Sequence, residues 1–179
     1  MFKKYRFYLV LLVCMISVSS YGNDIITLNS GGEIEWQVFP VGKTVYVRVA
    51  KVGYEPEEYV PGIVPGTIFS AYVAAGKEEE PSYGDNIYNV DESKYNQAFW
   101  YRTTFKKPET NGRRVILVLE GTNRYGTVYL NGKKLKQIRG HVLMMRHDIT
   151  DLLAEDNCLA VRIDMPSSSF LSRTSNFAD

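Results

Sequence analysis

The sequence predicts an all-β fold, an antiparallel β-sandwich of jelly-roll type with one short helix. Three observations carry that expectation: apolar and polar residues alternate with period two over several short stretches, turn residues separate those stretches, and no strand–helix alternation repeats along the chain. In chain order, Val45, Val47 and Val49 alternate with Thr44, Tyr46 and Arg48 and predict a half-buried strand. Residues 53–66, rich in Pro, Gly and Glu, read as a loop. Thr67 then offers a cap to a helix whose apolar residues Ile68, Phe69, Tyr72 and Val73 fall at helical spacing, and Gly76 ends it. Residues 77–92 form a second long loop with acidic and aromatic side chains; loops of that length in a compact domain tend to be functional or mobile.

The second half continues in the same style. Phe99, Tyr101, Thr103 and Phe105 alternate with Trp100, Arg102 and Thr104, again as a half-buried strand, with Arg102 expected to meet an internal carboxylate or carbonyl. Stretches 115–119 and 159–163 are apolar on both faces, Arg162 excepted, as in central strands. Between them, 126–130 and 133–138 flank Asn131-Gly132, a dipeptide that favours a type I′ turn and marks a hairpin. Asp148-Ile149-Thr150-Asp151-Leu152-Leu153 supplies a capped turn that leads into the last strand.

Composition bounds the rest. With 179 residues, 45% hydrophobic and 13% aromatic, the chain describes one domain. A (β/α)8 barrel takes roughly 250 residues by itself. Lys3, Lys4 and Arg6 precede an apolar run over 7–18, and Ser20-Tyr21-Gly22 follows, so 1–22 reads as a signal peptide and the product as secreted or periplasmic. A membrane span needs nearer to about 20 apolar residues, so no membrane partner is expected after cleavage. The sandwich is expected over 23–166 and an unstructured, serine-rich tail over 167–179. Cleavage removes three of the 21 basic residues and leaves 18 against 20 acidic, a net charge of −2 without a basic run longer than a pair; nucleic acid is not an expected partner. It also leaves Cys158 alone, a small buried residue that has no disulfide partner.

Catalytic chemistry finds no foothold. Catalysis by a carboxyl acid and a carboxylate nucleophile needs the two groups about 5 Å apart. Glu33 and Glu35 would share one face of an apparent strand, and Glu55, Glu57, Glu58 and Glu78 to Glu80 lie in loops where a carboxylate is solvated. His141 and His147, with a lone cysteine, do not have metal-ligand spacing, and neither a phosphate loop nor a nucleophile elbow occurs. No catalytic or metal-binding residue is assigned and no cofactor is expected.

The order of segments nevertheless resembles a known family. Val64-Pro65-Gly66-Thr67, the short helix to Ala75-Gly76, Glu80-Pro81-Ser82-Tyr83-Gly84-Asp85-Asn86, Phe99-Trp100-Tyr101-Arg102-Thr103-Thr104-Phe105, Leu119-Glu120-Gly121, Val128-Tyr129-Leu130-Asn131-Gly132-Lys133 and Asn157-Cys158-Leu159-Ala160-Val161 follow one another as in the N-terminal domain of glycoside hydrolase family 2. The similarity is greatest to the exo-β-glucosaminidase and β-mannosidase branch and covers roughly residues 33–166. It implies a galactose-binding-like jelly roll that docks against a catalytic (β/α)8 barrel bearing the two glutamates, the terminal β-linked sugar being bound only together with that barrel. It further implies that the stretch with Tyr83, Asp85 and Asn86 approaches the active-site mouth, where these residues either touch sugar or pack on the barrel. This sequence departs from the family at Glu80, where an Asp is commoner, and at Ser82, where an aromatic is. The same resemblance leads to the expectation of a truncated reading frame whose sandwich stops short of its closing strands and is marginally stable. A free-standing carbohydrate-binding module and a purely docking chain are the other readings of the same residues.

Overall fold

The computed structural model describes residues 24–122, 125–140 and 144–165. The expected signal segment and tail, and Asn123, Arg124 and His141, lie outside the described residues. Strands β1 (Trp36–Pro40), β2 (Val60–Pro61), β3 (Phe99–Lys106), β4 (Ile116–Leu119), β5 (Tyr125–Leu130), β6 (Lys133–Arg139), β7 (Met145–Asp148) and β8 (Asp156–Ile163) alternate with two short helices, α1 (Tyr46–Val49) and α2 (Ile68–Ala74). Single 3-10 turns occupy Asn86–Asn89, Glu92–Tyr95 and Thr150–Leu152. The architecture is the all-β, antiparallel one that the sequence predicts. Six strands form one sheet in the order β2-β1-β3-β8-β5-β6, and β4 and β7 pair as a second.

β3 and β8 pair over their full lengths, Phe99 opposite Ile163 and Lys106 opposite Asp156, and make the spine of the large sheet. One face of that sheet carries Trp36, Val38, Phe99, Tyr101, Val128, Leu130, Leu159 and Val161, which cluster with Leu117, Met145 and Ile149 around the small sheet. The other carries Phe39, Trp100, Tyr129 and Ala160, which cluster with Val49 and Ala50 of the crossing segment and, at its margin, Val41 and Tyr54. The hairpin turn is as expected: Asn131 and Gly132 both have positive φ, 51° and 82°, the backbone signature of a type I′ turn. Asn131 has a further task. Its side chain donates to Leu152 O and Asn157 Oδ1 and accepts from Cys158 N, while Asn157, fully buried, exchanges bonds with the Ala154 backbone. The turn of the hairpin is thereby stitched to the start of β8.

Four local expectations are corrected. Residues 44–49 do not form a strand; 46–49 make a single helical turn. Tyr46, Val49 and Ala50 stand at i, i+3 and i+4, Val49 and Ala50 are fully buried, and the Tyr46 ring lies 5.0 Å from that of Tyr129. Packing on the sheet overrides the β preference of the three valines. The 115–119 stretch is not a central strand: β4 pairs with β7 alone, and Ile116 and Val118 stand exposed on either side of buried Leu117. β3, in contrast, is buried on both faces from Phe99 to Thr103 rather than half-buried, since each face of the large sheet has its own cluster. Glu33 and Glu35 precede β1 and lie on no strand. Within the 53–66 loop the structure also finds β2, an edge strand short enough to tolerate Pro61. Gly62 follows because a Cβ there would come within 2.7 Å of Trp36 Cβ.

Candidate functional site

The loop from Lys77 to Gln97 leaves the sheet at one corner and is held at its neck. α2 starts with a reciprocal cap, Thr67 Oγ1 accepting from Ser70 N and Ser70 Oγ from Thr67 N, and stops at Gly76 with φ 66°. Its ring Tyr72 meets Tyr95 at 5.6 Å and Phe99 at 6.2 Å, and Phe69 meets Tyr95 at 5.5 Å, so an aromatic cluster pins both ends of the loop to β3. Lys94 Nζ donates to Glu78 Oε1 at 2.8 Å across the neck. That bond holds the Glu78 carboxyl below its ordinary range. Burial first, then the neighbouring Glu78 carboxylate, pushes the Tyr95 phenol upward.

Beyond the neck the chain folds on itself. Ser82 Oγ donates to Glu80 Oε1 at 2.8 Å, Asn86 Nδ2 donates to Glu80 O at 3.0 Å, and Asn86 N donates to Tyr83 O at 3.3 Å. Glu80 and Ser82, the two departures from the family pattern, thus bond to each other and set the curve of the loop. Of the three residues expected here, Tyr83 is 79% exposed, Asp85 is exposed, and Asn86 is partly buried with one amide hydrogen donated inside the loop to Glu80 O. They share one tip, but Asn86 shapes it while Tyr83 and Asp85 face outward. Ile87, which no sequence signal singles out, is 60% exposed beside Tyr88 at 85%. Its position between two polar residues of an acidic loop concealed an apolar tip.

The carboxylates elsewhere gather less closely. Glu35, Glu55 and Asp156 line a shallow groove of about 460 Å³ with Gln37, Tyr59 and Arg102. Arg102 at its floor is occupied: Nε donates to Val49 O at 3.0 Å, Nη1 to Gln37 Oε1 at 2.7 Å and Nη2 to Lys51 O at 3.0 Å, and the guanidinium lies 5.9 Å from the Tyr54 ring centre. As expected, it meets carbonyls. Cys158 is buried, and burial raises its thiol. Among the described residues no group of three or more His, Cys, Asp or Glu is gathered as a metal site would need. The chemistry on offer at the loop tip is recognition: ring faces for the apolar side of a sugar or a partner, and a carboxylate for hydroxyls or donors.

Known proteins place this geometry in context. An exo-β-D-glucosaminidase of Streptomyces avermitilis is 27% identical over 119 residues, 64% of this chain and 13% of that protein. Beta-mannosidase B of Aspergillus terreus is 30% identical over 112 residues, 62% of this chain and 13% of its own. The fold is shared with the exo-chitosanase of Amycolatopsis orientalis, at a TM-score of 0.66 and 21% identity over 75% of this chain and 16% of that one. It is shared also with the β-D-mannosidase of Dictyoglomus thermophilum, at 0.62 and 24% over 82% and 17%. This chain therefore spans 13% of the length of each of the two curated relatives just described. Residues 47–177 match the family described as glycosyl hydrolase 2 galactose-binding domain-like, and the chain belongs to that family.

Proposed function

We propose that this domain supports and shapes the active site of a secreted family 2 glycosidase acting on β-linked glucosamine or mannose at chain ends, with the acid and the nucleophile on a separate (β/α)8 barrel. The observation that carries the reading is the loop tip: Tyr83, Ile87 and Tyr88 are 79%, 60% and 85% exposed on a loop whose neck is locked by an aromatic cluster and an ion pair. A rigidly held, uncovered aromatic tip is what an interdomain contact or the rim of a sugar pocket requires. Tyr83 and Asp85 face the barrel and its terminal sugar, and Asn86 keeps the loop in shape. The resemblance to an exo-β-D-glucosaminidase and a β-mannosidase favours these two sugars.

The test has three arms. Purified chain should turn over neither p-nitrophenyl β-D-glucosaminide nor the β-D-mannoside; turnover above a blank would refute the supporting role. Calorimetric titration with glucosamine and mannose oligomers should give no binding; micromolar affinity for either would make the chain a free-standing carbohydrate-binding module. The gene locus should encode, in frame or in a neighbouring gene, a barrel with two glutamates suitably placed for retention, and a locus without one would sink the proposal.

A further inference from the structure

We propose that the corner of the large sheet formed by the β5–β6 hairpin and α1 is a binding surface for an acidic polysaccharide, a chain of sugars that carry carboxylates. The inference is independent of the glycosidase reading above.

Charge is separated across the sheet even though the chain is nearly neutral. Between Glu120 and Asp148 the sequence holds Arg124, Lys133, Lys134, Lys136, Arg139 and Arg146 and no acidic residue. Residues 55–96 hold Glu55, Glu57, Glu58, Glu78, Glu79, Glu80, Asp85, Asp91 and Glu92 against Lys77 and Lys94. The strands at the two ends of the large sheet are β2, inside the acidic stretch, and β6, inside the basic one. Such separation creates a local field that the net charge hides.

The basic edge is available. Lys133, Lys134, Lys136 and Arg139 are exposed. Among the described residues the three lysines enter no ion pair, and Arg139 donates only to Gln137. β6 pairs with β5 alone, so its outer backbone groups are free to meet hydroxyls. From Lys133 to Arg139 the strand extends about 20 Å at ~3.3 Å per residue, which suits a linear polyanion better than a single ion.

An aromatic platform adjoins part of this row of cations. Tyr46 is 45% exposed and its ring lies against that of Tyr129, 5.0 Å between centres and tilted by 30°. Tyr129 stands opposite Lys134 and Tyr125 opposite Arg139 on this face of the edge, whereas Lys133 and Lys136 stand opposite Leu130 and Val128 on the other. Lys51, one turn beyond Tyr46, brings Cε to 3.4 Å from the place a Cβ on Gly132 would take, at the hairpin turn. An exposed ring for a pyranose face, with the ammonium groups of Lys134 and Lys51 beside it, is the pairing an acidic sugar needs.

Two rival occupants fit less well. Lysines on an edge strand also guard against strand-to-strand association, but that role assigns nothing to Tyr46 or Lys51. Single-stranded nucleic acid needs a row of rings for successive bases, and this corner presents one exposed ring with a strongly acidic region on the same small domain.

The experiment is affinity electrophoresis of the purified chain in gels cast with polygalacturonate. The chain should be retarded at low salt and released at about 0.5 M NaCl, where the screening length falls toward a few Å. Lys133→Gln/Lys134→Gln/Lys136→Gln should weaken binding at least tenfold. Tyr46→Ala should weaken it about fivefold with the salt dependence unchanged, consistent with a stacking contact. Lys106→Gln/Lys107→Gln, elsewhere on the surface, should bind as the parent does. Absence of retardation, retardation indifferent to the triple substitution, or equal or tighter binding of single-stranded DNA would each overturn the proposal. Should the triple variant fail to fold, the salt titration of the parent decides, because a flat response excludes a polyanion on this edge.

Discussion

Arg102→Ala should lower the unfolding free energy by about 3–5 kcal/mol, and the structure shows where that figure comes from. The guanidinium makes three hydrogen bonds, to Val49 O, Gln37 Oε1 and Lys51 O, from a residue only 4% exposed. Bonds to a charged group contribute about 1.5–3 kcal/mol each, roughly 4.5–9 kcal/mol before desolvation of the cation takes back several. Truncation also leaves two backbone carbonyls without their donor, at about 1–3 kcal/mol apiece where water cannot reach them. Those carbonyls belong to the end of α1 and the residues after it, so the layer over Trp100 and Tyr129 should loosen first. At ~3 °C per kcal/mol for a domain of this size, the melting temperature should drop by roughly 10–15 °C. Urea unfolding followed by far-UV circular dichroism measures the change, with the slope expected to stay constant. Arg102→Lys should fall between the two, since an ammonium cannot reproduce the planar fork. A loss below about 1 kcal/mol at constant slope would refute the reasoning, since three such bonds cannot then be holding the crossing segment. So would a deficit that varied between pH 5 and 9, because an arginine stays charged throughout that range.

Other perturbations follow from the same structure. Asn157→Ala should cost about 2–4 kcal/mol, read by the same unfolding assay, because it strips partners from Asn131 and the Ala154 backbone together. Glu78 has a carboxyl held below its ordinary value of 4.5 by Lys94. The ion pair therefore contributes fully above that value and is lost as pH falls through the lower folded one, so Glu78→Gln should flatten the acid limb of a stability–pH profile. Cys158 should resist a thiol reagent in the native state and react at the rate of unfolding, since burial raises its thiol; prompt labelling of folded protein would contradict this. Tyr88→Ala should leave stability within about 0.5 kcal/mol in thermal melts, its ring being 85% exposed.

What could be read from the chain was what short-range chemistry decides. The β5–β6 hairpin was legible because Asn131 and Gly132 tolerate the positive φ that the turn imposes, and α2 because Thr67, the apolar spacing and Gly76 each act within a turn of the helix. The helical turn at 46–49 was hidden because three valines at alternate positions signal a strand, whereas the force that coils them is contact with Trp100 and Tyr129, more than fifty residues away. β4 was misplaced for a related reason: an apolar run looks the same in the centre of a sheet and in an outer pair, and only β7 determines which it is. At the loop tip, Tyr83 and Asp85 were legible as outward-facing chemistry, but the inward duty of Asn86 depends on the Glu80 carbonyl and on a curve no pattern announces. Arg102 was anticipated in kind, a buried cation among carbonyls, and its particular acceptors were not.

The place of β8 has a consequence for how the molecule is made. This strand lies between β3 and β5, so the sheet consists of two separate ribbons, β2-β1-β3 and β5-β6, until residues 156–163 arrive to join them. A nascent chain leaving the ribosome from its N-terminus would carry both ribbons with unpaired inner edges and uncovered valines and tryptophans for as long as it takes to deliver that segment. Closure is then a late, zipper-like event with high contact order. Until it occurs, the inner edges of β3 and β5 stay open to pairing with other strands.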